Sequence, residues 1–229
     1  MKKISFIILS FLISLQLYAQ HLKVDGVNPN YEKYRESSYF DYIHEDFDTS
    51  NLTWVADLTI TFDTIIPGMI GETYKLFKEK ANRYGANSFR VRASNIYDNG
   101  PDKYVSISTY WLRMEDRDSN EVLYKNQEVY LFGFLGYHEE IDGYSVELND
   151  QGFTMHALTF RARKFNKGER VRIHLGSKVR GSSVEFKVSE DMKSRFYYFS
   201  MMRGSFKNSS IKQYDRDFGM YLSQILQKE

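Results

Sequence analysis

The sequence predicts an α+β fold. An N-terminal β-α-β-β module is followed by a mostly antiparallel β barrel or sandwich, which closes with a C-terminal helix. Three observations carry this expectation. Residues 54–62 alternate apolar and polar, and residues 70–84 then repeat apolar at steps of three and four, so a strand passes into an amphipathic helix. From residue 121 the helical period gives way to short alternating runs separated by turn-forming residues. At the end, Tyr214, Phe218, Tyr221, Leu222 and Ile225 again share a helical face.

Composition bounds what such a chain can be. It has 229 residues, 42% of them hydrophobic and 16% aromatic, a net charge of +1, three prolines and no cysteine. The length fits one or two domains, and the apolar content is too high for disorder. The absence of cysteine excludes disulfides, thiolate metal sites, a cysteine nucleophile and a lipidated N-terminal cysteine.

Taken in order, residues 1–19 read as a secretory signal peptide. Lys2 and Lys3 precede the apolar stretch Ile4 to Leu17, and Leu17-Tyr18-Ala19 places a small residue at the cleavage point. The stretch is short of the ~20 residues of a membrane span and is dotted with serines, so cleavage is favoured over anchoring. Leaders of this style are typical of Gram-negative bacteria. The mature protein is therefore expected to be exported to the periplasm or beyond and soluble, with no later membrane span.

Residues 20–51 read as an irregular, aromatic and acidic segment with a turn at Asn28-Pro29-Asn30. Residues 52–118 read as the β-α-β-β module. Trp54, Ala56, Leu58, Ile60 and Phe62 form one strand face, and Ile70, Tyr74, Phe77, Ala81 and Tyr84 a helical stripe capped by Gly85. Phe89, Val91 and Ala93 then alternate with Arg90 and Arg92, Asp98-Asn99-Gly100-Pro101 turns, and residues 104–112 alternate again. The strand–helix–strand order predicts a parallel pair with a right-handed crossover. Residues 119–229 read as a β-rich domain with strands at 121–125, 128–136, 143–148, 153–165, 169–176, 183–189 and 195–202, then a helix over 213–227 with Asp215 and Asp217 near its start.

The helix-to-strand passage Leu76 to Val91, with Ala81 followed by Gly85-Ala86-Asn87, resembles a recurrent pattern in small exported bacterial cell-envelope β-α-β modules. These include envelope-stress sensor lipoproteins and small modules described as heavy-metal-binding. The resemblance covers about 60 residues. It implies the β-α-β shape and an envelope setting. The sensor lipoproteins rely on cysteines, which this chain lacks, so no functional residue is carried over.

Motifs for catalysis are weak. His44-Glu45-Asp46-x-Asp48 places an imidazole beside three carboxylates but reads best as a solvated acidic turn. Asp116-x-Asp118-x-Asn120 opens like a calcium loop, yet Glu121 stands where a glycine is needed and Gln127 where a bidentate glutamate is needed, so it reads as a polar turn between strands. There is no nucleophile elbow and no phosphate loop. No catalytic residue, metal or cofactor is expected.

The charge pattern is more informative. Residues 20–160 hold 13 bases and 23 acids, whereas residues 161–212 hold 14 bases and four acids. Within the basic block, Arg161 and Arg163 alternate with Phe160 and Ala162, and Arg170, Arg172 and His174 alternate with Val171, Ile173 and Leu175. Paired as a hairpin about Asn166-Lys167-Gly168, these strands would present Arg161, Arg163, Lys167, Arg170, Arg172 and His174 as one anion-binding surface. The competing reading is that the acidic and basic halves neutralise each other.

The function expected on these grounds is a non-catalytic cell-envelope binding or assembly protein. Its partner would be an envelope protein or an anionic glycan or lipid headgroup, not nucleic acid. One alternative is a carbohydrate-binding module or glycan-active enzyme using Glu139, Glu140 or Glu147, supported by the many tyrosines. Another is a structural subunit of an envelope assembly.

Overall fold

A computed structural model describes residues 20–32, 37–65, 67–97, 103–133, 143–176, 181–201 and 209–229, and among these described residues lie three sheets and three helices. The leader of residues 1–19, the turn Asp98 to Pro101 and the candidates Glu139 and Glu140 lie outside the described residues. Among the described residues, no helix is long and apolar enough to cross a membrane.

The first sheet holds β1 (Gln20–Val27), β2 (Asp41–Tyr42), β3 (Thr53–Phe62), β4 (Ser88–Asn95) and β5 (Lys103–Trp111) in the order β1-β3-β5-β4-β2. Residues 20–27 are thus a full strand rather than irregular chain, with Leu22 and Val24 packed against the larger core and Lys23 and Asp25 exposed. Pairing with β3 along its whole length fixes this alternation as a strand. α1 (Met69–Tyr84) follows β3 and turns Ile70, Phe77 and Ala81 onto the sheet, ending at Gly85 with φ 86°. The left-handed turn suits glycine, which has no Cβ to clash. Asn87 then donates from Nδ2 to the Leu112 carbonyl at 2.8 Å and accepts from the Leu112 N–H at 2.7 Å, locking β4 to the end of β5.

The predicted adjacent parallel pair does not form. β3 and β4 run the same way, but β5 lies between them and is antiparallel to both. This is a split β-α-β arrangement. The strand nearest to β4 in sequence takes the central slot and buries Val105 and Ile107 there. A bulge between Trp54 and Ala56 also changes the expected strand face. Val55 and Ala56 are both buried, and Trp54 turns outward, where its Nε1 donates to Asp57 Oδ1 at 3.0 Å.

Residues 114–123 form a helix, α2 (Met114–Leu123), where the sequence reading placed a polar turn and a strand. Glu115 and Asp116 in its first turn favour the helix dipole. Tertiary contact decides the rest. Buried Asn120 donates to the Tyr42 carbonyl at 2.9 Å and accepts from the His44 N–H at 2.8 Å, and Tyr124 donates its hydroxyl to the Tyr42 carbonyl at 2.7 Å.

The remaining strands form two packed layers and no closed barrel. One layer holds β7 (Tyr144–Leu148), β8 (Gln151–Met155), β10 (Arg170–Leu175) and β11 (Ser182–Lys187) in the order β11-β10-β7-β8. The other holds β6 (Glu128–Phe132), β9 (Thr159–Lys164), β12 (Arg195–Met201), β13 (Ser209–Gln213) and β14 (Gln227–Lys228) in the order β13-β12-β6-β9-β14. The single strand predicted over 153–165 is therefore two, parted by Leu158 at φ 60°. β7 and β8 join through Asn149 and Asp150, both with positive φ, the conformation a two-residue hairpin turn requires.

The five-stranded layer is covered on both faces. Val129, Leu131, Tyr197 and Phe199 join Val146, Val171, Ile173 and Leu175 in a core between the two layers. Tyr130, Phe132, Phe160 and Phe196 join the larger core with the first sheet, α1 and α3 (Arg216–Ile225). α3 starts at Asp215, whose carboxylate accepts from the Phe218 N–H at 2.9 Å. It approaches β12 so closely at Gly219 that an added Cβ would lie 2.3 Å from Phe196 Cγ. The helix ends at Ile225, short of the expected 227, because Gln227 and Lys228 pair as β14 with β9.

A partly buried ionic cluster ties these parts together. Arg117 pairs with Asp41, and Arg216 pairs with Glu121 and with Asp217 at 2.8 Å while covering the Tyr124 ring at 4.5 Å. Burial raises the Asp217 carboxyl above its usual range, against the lowering effect of Arg216 and of the Tyr42 N–H it accepts.

Candidate functional site

The predicted cationic residues divide between two surfaces. β9 pairs with β6 and β14, whereas β10 pairs with β7 and β11, so no β9–β10 hairpin exists. The turn at Asn166-Lys167-Gly168 instead carries the chain from one layer to the other. Phe165 is buried at the corner and donates its N–H to the Gln127 carbonyl at 3.1 Å, and Gly168 (φ 87°) donates to the Val188 carbonyl at 2.8 Å. The physical reason is burial. The inward residues of β9, Phe160 and Ala162, pack in the larger core, and those of β10 pack in the smaller one, so one continuous face cannot serve both.

Arg170, Arg172 and His174 occupy the outer face of the four-stranded layer, where acids match them. Arg170 lies 3.2 Å from Glu185, and Arg172 lies 3.9 Å from Glu185 and 3.7 Å from Asp150. His174 stands opposite Glu147, and its Nε2 is shielded without a hydrogen-bond partner among the described residues. Lys167 pairs with Glu190. Exposed pairs of this kind leave little net field toward a ligand and are each worth about 0–1 kcal/mol.

Arg161 and Arg163 are placed differently. Their register partners on β6 are Leu131 and Val129, which face the smaller core, so both arginines point toward the space between the two layers. There the edge of the sandwich opens into a cleft of about 260 Å³. Val129, Leu131, Leu148 and Phe153 supply apolar walls, and Gln151, Arg161, Arg163 and Glu229 supply polar ones. The Arg161 guanidinium covers the Phe153 ring at 4.3 Å, and that of Arg163 covers Phe165 at 5.0 Å.

Glu229 closes one end. Its backbone N–H donates to the Phe160 carbonyl at 2.9 Å, extending the β14–β9 pairing. Its Oε1 lies 2.7 Å from His156 Nδ1, and Arg161 Nε donates to its Oε2 at 3.3 Å. Partial burial pushes the Glu229 carboxyl up, but hydrogen bonding by His156, Thr159 and Arg161 outweighs it and holds the group below its ordinary value. Arg163 has no carboxylate within ion-pair distance among the described residues. Its Nη1 donates only to Gln151 Oε1, at 3.4 Å.

Gln151, Phe153 and Glu229 were not singled out in the sequence, because they reach the cleft from β8 and the chain's end. Only strand pairing reveals them. Among the described residues, no group of three or more His, Cys, Asp or Glu side chains converges as a metal site would require. Compared with protein family models, curated proteins and solved structures, the chain matches none.

Proposed function

We propose that this protein is an exported, non-catalytic binding protein of the bacterial cell envelope, and that the cleft between its two β layers takes a small anionic ligand. One observation carries the reading. Two arginines line an apolar-walled cleft, and for one of them, Arg163, the polar partner among the described residues is a neutral amide. Guanidinium charge beside apolar walls attracts an anion more strongly than the same charge on an open, salt-screened face. The basic outer face of β10 is not part of this site, because Glu185 and Asp150 already offset it.

The test is amide-shift mapping by NMR while small carboxylates and phosphates are titrated into the mature chain. Saturable shifts confined to residues 129–131, 148–153 and 161–163, and lost in an Arg161→Ala/Arg163→Ala pair, support the reading. Shifts centred on residues 170–174, or none, refute it. Mass spectrometry of the secreted form, with Gln20 expected at its N-terminus, tests export.

A second reading, a carbohydrate-binding module, draws on another place. Two neighbouring hollows of about 320 and 450 Å³ share Trp111 and Arg113, with Tyr31 on one side and half-exposed Tyr39 on the other. Aromatic faces beside a fixed Arg113–Asp116 pair at 2.8 Å suit sugar rings. Loss of oligosaccharide binding in Trp111→Ala would favour this reading, and unchanged binding would remove it.

A further inference from the structure

The charges in the cleft restrict what it can hold. We infer that the site selects a ligand bearing a single carboxylate on a compact apolar body, and that Glu229 is the specificity-determining residue that excludes more highly charged anions. This inference rests on the anion-binding reading of the cleft.

Of the two guanidinium groups in the cleft, Arg161 meets the Glu229 side-chain carboxylate and Arg163 meets no described carboxylate, so one guanidinium is left for one anionic group. Glu229 is no free side chain that a ligand could push aside. Its backbone is tied to Phe160, its two carboxylate oxygens meet His156 and Arg161, and its side chain is only 16% exposed. Arg161 is therefore already engaged.

Arg163 is the group left to receive a ligand. Phe165 lies beneath its plane and Gln151 takes one N–H, which leaves donors along the edge of the guanidinium. That planar fork matches the two oxygens of a carboxylate. Val129, Leu131, Leu148 and Phe153 then face whatever the carboxylate is attached to, so an apolar body is favoured there. The volume of about 260 Å³ lies below the roughly 300–1,000 Å³ of drug-sized sites, which makes that body compact. A phosphate monoester carries about −1.5 to −2 at neutral pH. Its extra charge would face the fixed Glu229 carboxylate across the same cleft.

The experiment compares hexanoate with hexyl phosphate, two probes with one tail and different head charges, by calorimetry on the mature full-length chain at pH 7.5. The wild type is expected to bind hexanoate at least about tenfold more tightly than hexyl phosphate. Glu229→Gln should close or invert that ratio, whereas Glu229→Asp, which keeps the charge, should preserve it. Arg163→Ala should abolish hexanoate binding.

Far-UV circular dichroism of each variant confirms that β14 and β9 remain folded, and the Asp variant guards against a mere packing defect. If Arg163→Ala loses binding but the wild type prefers hexyl phosphate, or Glu229→Gln leaves the ratio unchanged, the selectivity inference is overturned and the anion cleft stands. If Arg163→Ala binds both probes like the wild type, the cleft reading itself falls. No saturable binding of either probe also overturns the inference.

Discussion

Two helical glycines, both opposable to alanine, face opposite environments and should respond with opposite signs. Alanine is the better helix former by about 1 kcal/mol at an interior position. At Gly219 in α3, an added Cβ would lie 2.3 Å from Phe196 Cγ, 2.4 Å from Cδ1 and 2.7 Å from Cβ. Carbon contacts are comfortable near 3.5–4.0 Å, so the helix or the ring must move by roughly 1 Å. The ring has little room to move. Phe196 is 1% exposed and lies 4.9 Å from the Tyr130 ring and 6.5 Å from that of Phe132. Overpacking of this kind costs about 1–3 kcal/mol, which exceeds the propensity gain.

Gly219→Ala should therefore destabilise the chain by about 1–2 kcal/mol, and for a chain of this size Tm should fall by roughly 2–8 °C. At Gly71 in α1 the nearest atom to an added Cβ is Phe218 Cζ at 3.9 Å, an ordinary contact. Gly71→Ala should stabilise by about 0.5–1 kcal/mol. Urea and thermal unfolding of both variants against wild type measure the difference. A Gly219→Ala variant as stable as Gly71→Ala would show that α3 does not press on β12 as described.

Other expectations follow from the same contacts. Asn120→Ala leaves the buried His44 N–H without its 2.8 Å acceptor and should cost about 1–3 kcal/mol in urea unfolding; a loss under 0.5 kcal/mol would place Asn120 outside the α2–β2 contact. Arg170→Ala combined with Arg172→Ala removes exposed pairs to Glu185 and Asp150 and should change stability by less than about 1 kcal/mol, with Tm measured at low and high salt. Glu229 is held below its ordinary value of 4.5, so its contribution to stability is present above that value and lost as pH falls through the lowered folded-state value. The protection factors of the Gln227 to Glu229 amides, corrected for the intrinsic pH dependence of exchange, should accordingly fall only below the ordinary value of 4.5, and this acid dependence should be missing in Glu229→Gln.

Much of the local structure was legible in the sequence. The stripe from Ile70 to Tyr84 and its Gly85 cap depend on neighbouring residues alone and lie where the pattern placed them, whereas the last helix, expected over 213–227, spans Arg216–Ile225. β1 could have been read from Leu22 and Val24, which alternate with exposed Lys23 and Asp25. α2 was less readable, because its short, charged segment gains stability from Asn120 and Tyr124 docking on Tyr42, residues some 80 positions away. The candidate site was half legible. Alternation places Arg161 and Arg163 on one face of β9, but the sequence reading groups them with β10 cations that lie on a different layer.

By itself, the sequence determined the strand–helix–strand run from β3 through α1 to β4, the presence of a last helix, and that positive charge concentrates after residue 160. Only the tertiary structure decided that β5 separates β3 from β4, that β9 and β10 part into different layers, and that Arg161 and Arg163 face a cleft closed by Glu229. The reason is physical. Alternation gives a strand two chemically distinct faces, but apolar burial has no direction, and the hydrogen-bonding edges of one strand are much like those of another. Which strand lies beside which, and therefore which arginine meets which carboxylate, is settled only when all the faces are buried together.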